Sequence, residues 1–417
     1  MKRILDKFFY PKSIAIVGAT EKPDKIGYAV VRNLLSGGFG GGVYPVNPKY
    51  NTVQGKKCYA RLKDLPEAPD LVVFAVPSAL IPALMKDCKQ AKAECAVVLS
   101  AGFNEAGPAG EALFHELRQQ AAAKGVRLLG PNCLGLVTPA IGLNATFAPT
   151  MPPAGRVAFI SQSGALGSAI LDWASEKNVG FSHFVSVGSM ADISFDHLID
   201  YFGSDSRTAC ILIYMESLGN ARKFMSAARA FARSKPIVIL KAGASVQGAR
   251  AALSHTGAMA GNDAVYDAAF RRAGVIRVQT IQQLFDCTQA LATQPLPPGN
   301  RLAIVTNAGG PAILATDALD QRGGTLATLS PETQAELDKV LPKAWSKGNP
   351  VDILSDGTAD QFRAAVHACL FDPNVDAVLV IFTAQNVNEA ETVARVVVAE
   401  SKAVYSKPVY AAWMGLQ

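Results

Sequence analysis

The stretch 155-GRVAFISQSGALGSAILD-172 decides the fold. RVAFI is an apolar run of strand length, SQSG is a turn of small and polar residues, and ALGSAILD returns to apolar residues at helical spacing. The same succession recurs at 300-NRLAIVTNAGGPAILATD-317. A further pair follows in the same order, 234-SKPIVILKAG-243 and 406-SKPVYAAWMG-415, each an apolar strand closed by a glycine turn. Strand, turn and helix repeated in order predict a duplicated α/β unit with a parallel sheet in each copy.

Upstream, SIAIVGA, GGVYPVN, LVVFAVP, CAVVLSAG and RLLGP read as buried strands. The helix-like stretches GYAVVRNLLSGG and GEALFHELRQQAAAKG lie between them. The Pro-rich stretches 148-APTMPPAG-155 and 295-PLPPGN-300 read as linkers. Three domains are therefore predicted, at 1–147, 153–295 and 299–417. The last stops right after a strand, without the helix that would close it, and is expected to be truncated, cut from a longer protein.

Hydrophobic residues make up 49% of the 417 and charged residues 18%, a balance that suits large globular cores. The net charge of +6 is small for this length, and no Lys/Arg run is interleaved with aromatics. A nucleic-acid partner is not expected. Asp6, Lys7 and Pro11 break the N-terminal stretch before a signal-peptide core forms, and no apolar run has bilayer length, so no membrane role is expected. The seven cysteines are scattered without CxxC spacing. Neither a metal site nor a disulfide framework is implied, and reduced thiols suit a cytoplasmic protein.

Candidate sites lie where strands end. In 14-IAIVGATEKPDKIGYAVVRNLL-35 a strand meets Gly18, and a helix starts near Gly27, the place where a doubly wound sheet takes phosphates. The GxGxxG pattern is missing. The second strand ends 43-VYPVNPKY-50, with Lys49 and no acid for a ribose 2′-OH. A cation there suits a ribose phosphate, as in NADP or coenzyme A; alone, Lys49 also reads as a solvated loop lysine. Further strand ends fall at 76-VPS-78 and 130-GPNCLG-135. Cys133 is either a nucleophile or a small buried residue of that turn.

In the second domain SQSGALG opens a helix whose free N–H groups and positive end suit an anion, with Ser161, Ser163 and Gly164 at its mouth. It is neither GxSxG nor a Walker A loop. Without a ligand it is a capping serine. Glu216, after 210-CILIYM-215, is either a solvated strand-end acid or a carboxylate that orients an imidazole. Asp192 is a similar strand-end acid. In 252-ALSHTGAMAG-261, His255 stands among small residues on a loop that follows the fourth strand, on the same sheet edge. That setting suits transient phosphorylation. His115, His183, His197 and His367 lie in helix or strand patterns and read as structural.

Taken in order, VGAT, VNPK, GPNCLG, SQSGALG, SVGxxAD, YMES, SHTGAMAG, TNAGGP and NPVDI make essentially the whole chain resemble the NDP-forming acyl-CoA synthetases, relatives of the succinyl-CoA synthetase α chain. The resemblance implies an α/β architecture: a CoA-binding Rossmann domain followed by two flavodoxin-like parallel-sheet domains. It implies that His255 is phosphorylated during turnover, that Glu216 holds the phosphohistidine, and that Ser161, Ser163 and Gly164 open the phosphate-receiving helix. Gly18, Thr20, Lys49 and Pro77 would line the CoA nucleotide, with Asn132 and Cys133 near its thiol end.

The implied reaction joins a small carboxylic acid such as acetate to coenzyme A, at the expense of NTP, through acyl phosphate and phosphohistidine. ATP and Mg²⁺ would enter only through an ATP-grasp domain or subunit, which this sequence lacks, and an oligomer is expected. Ser189 stands where the family pattern has Asn, near the expected acyl pocket. A narrower resemblance is to the N-terminal region of bacterial Pat-type protein lysine acetyltransferases, which adds a GNAT domain as a possible partner and acyl-CoA sensing as the alternative role. The intact SHTGAMAG favours phosphoryl chemistry. An NADP oxidoreductase is the remaining alternative.

Overall fold

The computed structural model describes residues 2–256, 261–385, 390–404 and 406–415. The chain divides into two compact units, Met1–Ala292 and Thr293–Gln417.

The first unit holds two sheets. One has five parallel strands in the order Gly42–Val46, Ser13–Val17, Leu71–Phe74, Cys95–Val98, Arg127–Leu129. Its central strands are buried on both faces, as helices on either side of a parallel sheet require. The strand order reverses between Ser13–Val17 and Leu71–Phe74, so a crevice opens at their carboxyl ends. The other sheet runs Ile276–Val278, Ile237–Lys241, Cys210–Met215, Ala154–Ser161, Phe181–Ser186, and continues into an antiparallel hairpin, Gly135–Thr138 and Leu143–Thr146.

That hairpin departs from the expected boundary at 147. It precedes the Pro-rich link, yet it bonds into the second sheet, with Phe184 opposite Val137. It covers the edge strand Phe181–Ser186, which would otherwise present unpaired backbone groups. Asn33 of the helix Ile26–Ser36 fastens it from the first domain, donating to the carbonyls of Thr146 at 2.8 Å and Ala148 at 2.7 Å.

The two sheets of this unit are also joined by the segment that follows the strand Phe181–Ser186. Asp192 accepts hydrogen bonds from Arg127 Nε at 2.6 Å and Nη2 at 3.0 Å, and from the Leu128 N–H at 3.0 Å. This strand-end acid is therefore a structural clamp. The Ser189 and Ala191 N–H groups donate to the carbonyls of Pro131 and Gly130, both at 2.9 Å. Gly188 has φ +51°, and a Cβ there would fall 2.2 Å from the Pro131 carbonyl oxygen.

The second unit carries one parallel sheet in the order Thr325–Leu326, Arg301–Thr306, Ala377–Thr383, Val409–Met414, with Val351–Asp352 also bonded to Arg301–Thr306. With the short Val351–Asp352 set aside, its second strand is outermost, then come the first, third and fourth. Phe181–Ser186, Ala154–Ser161, Cys210–Met215 and Ile237–Lys241 follow the same order in the first unit. The duplication read in the sequence is thus a duplication of topology.

Candidate active site

In the first sheet the expected nucleotide residues gather at one edge. Gly18 (φ +95°) follows the strand Ser13–Val17, and a Cβ on it would lie 2.4 Å from the Ala75 carbonyl oxygen. Gly27 presses the next helix onto this loop, since its Cβ would meet the Gly18 carbonyl oxygen at 2.1 Å. Only glycine permits the tight strand-to-helix turn that exposes backbone N–H groups to an anion. Asn47 fixes the neighbouring strand end: its Nδ2 donates to the Ala19 carbonyl at 2.8 Å, and its Oδ1 accepts from the Lys49 N–H at 3.0 Å. The exposed Lys49 side chain has no carboxylate partner among the described residues. Pro77 is exposed at the start of the turn Ser78–Leu80.

Thr20 and Cys133 are engaged with the protein's own groups. The Thr20 hydroxyl is buried and pairs with the Tyr50 hydroxyl at 3.0 Å. The Cys133 thiol donates inward to the Val98 carbonyl at 3.3 Å, and burial pushes its pKa up to about 12. A buried thiol held this way suits the small buried residue of the turn rather than a nucleophile. Asn132 holds φ +54° beside it, with its N–H bonded to the Ser100 carbonyl at 3.0 Å. That strained backbone turns the segment toward the second sheet.

The helix Gly164–Glu176 starts against this turn: a Cβ on Gly164 would sit 3.5 Å from the Leu134 nitrogen. Ser163 caps the helix by accepting from the Leu166 N–H at 3.3 Å, and no acid occupies the first turn. The uncapped N–H groups and the dipole remain available to an anion. Ser161 differs from expectation. Its hydroxyl is fully buried and donates to the Ser163 carbonyl at 2.7 Å, so it shapes the turn from inside.

Glu216 is only 7% exposed, so it is not a solvated strand-end acid. Tyr214, two residues earlier, hydrogen-bonds its carboxyl group; burial first, then the Glu216 charge, push that phenol up to about 12. Gln162 links the backbone of this segment to the start of the helix Gly164–Glu176, a role invisible in the sequence. Its Oε1 accepts from the N–H groups of Glu216 at 2.9 Å and Ser217 at 3.0 Å, and its Nε2 donates to the Ser217 hydroxyl at 2.9 Å. The second unit repeats the device with Asn307, whose side chain bonds the carbonyl and the N–H of Thr383, both at 2.9 Å.

The side chain of His255 lies outside the described residues. Its backbone is in the last turn of the helix Val246–Thr256, and the expected open loop is helical up to Thr256. The run of small residues there includes the helix-favouring Ala251 and Ala252. Ser245 caps this helix, accepting from the Gly248 N–H at 3.0 Å. The helix passes beside the short turn Asn104–Ala106 of the first domain. On that turn Asn104 Oδ1 and Glu105 Oε2 are buried without a hydrogen-bond partner.

Among the described residues no cluster of three or more His, Cys, Asp or Glu could hold a metal, and no helix is long and apolar enough to cross a membrane. A CoA-binding domain model matches residues 12–139, a succinyl-CoA ligase-like flavodoxin domain 154–291, and a ligase-CoA domain 302–416. The chain is 44% identical over 379 residues to an ADP-forming acetate–CoA ligase of Archaeoglobus fulgidus, covering 91% of this chain but only 55% of that one. It is 40% identical over 414 residues to the α subunit of ADP-forming acetate–CoA ligase II of Pyrococcus furiosus, covering 99% of this chain and 90% of that subunit. The dinucleotide-forming acetyl-coenzyme A synthetase 1 of Candidatus Korarchaeum cryptofilum, solved with phosphate and ADP, superposes with a TM-score of 0.94 at 40% identity over 99% of this chain and 89% of that one. The chain belongs to the family of the ADP-forming acetate–CoA ligases, as a counterpart of their α subunit.

Proposed function

We propose that this chain is the CoA-ligase part of an ADP-forming acyl-CoA synthetase acting on acetate or a similarly small acid. The observation that carries the reading is the Gln162 link. It joins the segment of the buried Glu216 to the start of the helix Gly164–Glu176, beside the Gly130–Gly135 turn that the CoA domain contributes, and so supports a shared site. In the direction that needs no nucleotide, phosphate at the Gly164 helix end attacks the thioester carbon of acyl-CoA. The C–S bond breaks, CoA leaves as the thiol, and acyl phosphate remains. The His255 imidazole then attacks phosphorus, and the P–O bond to the acyl group breaks to release carboxylate. Glu216 accepts a hydrogen bond from the N–H of the other ring nitrogen, which keeps its proton, and the carboxylate charge stabilises the cationic ring. In the full synthetase the phosphoryl group passes on to ADP at an ATP-grasp domain or subunit, which would also hold Mg²⁺.

The family membership and the ligase names of the relatives favour this reading over acyl-CoA sensing beside a GNAT domain. The acyl group is assigned from the acetate relatives, and a 35% identical relative is a 4-hydroxybutyrate–CoA ligase, so small acids of other lengths belong in the same test. The chain is incubated with acetyl-CoA and phosphate, and the peptide carrying His255 is examined by mass spectrometry for acid-labile phosphate. Label in the wild type and none in His255→Ala is the expected result. No label in either, with CoA still bound, would leave the sensing role as the better account.

A further inference from the structure

A lysine is out of place in this molecule. Lys241 ends the strand Ile237–Lys241 at 4% exposure, and among the described residues it is the one Lys or Arg buried as a whole residue. Its ammonium donates to the adjacent Ala242 carbonyl and lies 4.7 Å from the centre of the Tyr266 ring. No described carboxylate reaches it within ion-pair distance. Desolvating an ammonium this way costs more than a carbonyl and a ring face return. Burial accordingly lowers its pKa, opposed by the charges of Asp263 and Glu216 and reinforced by Arg277. Core packing alone would be served better by Met or Leu.

Its position suggests what the charge is for. In the sheet register Lys241 faces Met215, the residue before Glu216. Tyr266, whose ring it touches, bonds the backbone of Leu218 through its hydroxyl. Lys241 and Tyr266 thus bracket the segment 216–218 from the neighbouring strand and from the helix Asp263–Ala273. Lys241 also immediately precedes the turn leading into the helix that carries His255.

We propose that Lys241 is a positioning residue of the phosphoryl-transfer site: its buried charge balances Glu216 and the incoming phosphoryl group. The inference rests on the phosphohistidine reading above. A phosphoryl group brings about −1.5 to −2 charges beside the Glu216 carboxylate. The helix end offers only about half a positive charge in return. A fixed ammonium at the end of the strand next to that of Glu216 would supply the missing cation without competing for the imidazole. Asp263, which also faces it, is already held by Arg277 at 2.6 Å and leaves Lys241 to the site.

The test uses the whole chain with acetyl-CoA and inorganic phosphate, following phosphate incorporation at His255 in wild type, Lys241→Met, Lys241→Gln and Lys241→Arg. Gln keeps a donor for the Ala242 carbonyl and removes only the charge. Both neutral variants are expected to raise the apparent KM for phosphate at least about tenfold with the KM for acetyl-CoA unchanged, and Arg to recover most of the loss. A merely structural lysine would not move one KM alone. Wild-type-like phosphate dependence in Lys241→Gln would overturn the proposal. Absence of label in the wild type as well would instead bring down the phosphohistidine reading and this inference with it.

Discussion

Gln162 holds the backbone of Glu216, accepting its N–H at 2.9 Å across two adjacent strand ends. The same carboxamide bonds Ser217 through both its oxygen and its nitrogen, and Gln162 is 8% exposed. Replacing it with Ala strands two buried N–H donors and a hydroxyl. Gln162→Ala is expected to lose about 1–3 kcal/mol in urea denaturation and to reduce phosphate incorporation at His255. Its affinity for CoA is expected to hold, because the crevice around Gly18 and Lys49 belongs to the other sheet. Equal losses in CoA binding and in labelling would show that Gln162 supports the unit as a whole and has no particular bearing on Glu216.

Gly188 lies where the two sheets of the first unit meet. Its φ is positive, and any Cβ would meet the carbonyl oxygens of Pro131 at 2.2 Å and Asn132 at 2.4 Å. Both are backbone atoms, which cannot rotate away. Gly188→Ala is expected to destabilise the chain by roughly 2–4 kcal/mol, from the disfavoured backbone and the overlap together. Gly164→Ala is the contrasting control, since its Cβ would stand at an ordinary 3.5 Å from Leu134. Similar melting temperatures for both variants would contradict the docking geometry.

Lys49 is the residue through which the CoA reading is tested against other nucleotides. It is exposed at the carboxyl end of the strand Gly42–Val46, with its backbone fixed by Asn47. If its ammonium meets the ribose 3′-phosphate, Lys49→Ala should weaken CoA binding about tenfold, the worth of one charge-assisted bond. Binding of 3′-dephospho-CoA should hardly change. Calorimetry on the four combinations gives the coupling directly. Equal weakening of both ligands would remove Lys49 from the phosphate contact.

The strands and the duplication were legible because buried parallel strands are continuous apolar runs, and RVAFIS and RLAIVT repeat one with its turn. The positions of Glu216 and Ser163 were legible for the same reason: a polar residue just past such a run lies at the carboxyl end of a strand. The hairpin at 135–146 was not, since Pro139 and Gly142 break it into pieces too short to show a period. Gln162 escaped because its partners are backbone groups 54 and 55 positions away in sequence. Cys133 and Thr20 sit where expected, but side-chain direction there depends on Asn132 and Tyr50, whose placement only the tertiary structure fixes. Lys241 looked like an ordinary strand end in VILKAG, and its burial depends on the helix that brings Tyr266 over it.

His183 gives the first unit an acid-side stability limit. It is fully buried; its Nε2 lies 2.8 Å from the Tyr10 hydroxyl, and its Nδ1 is 3.8 Å from Asp205 and without a hydrogen bond. Burial lowers its pKa below the ordinary 6.5, helped by Arg207 and opposed by Asp205. A lowered folded value means that the unfolded chain binds the proton more readily. The contribution to stability is therefore full above pH 6.5 and is lost as pH falls through the folded value. Within that window one proton costs about 1.4 kcal/mol per pH unit. His183→Gln keeps a polar group for Tyr10 and cannot titrate. Subtracting its urea-denaturation curve from that of the wild type, between pH 7 and pH 5, should remove the carboxylate contributions common to both. The remaining difference is expected to fall with falling pH, as the wild type loses stability faster. A difference that stays flat would mean that the His183 ring is not held neutral in the fold.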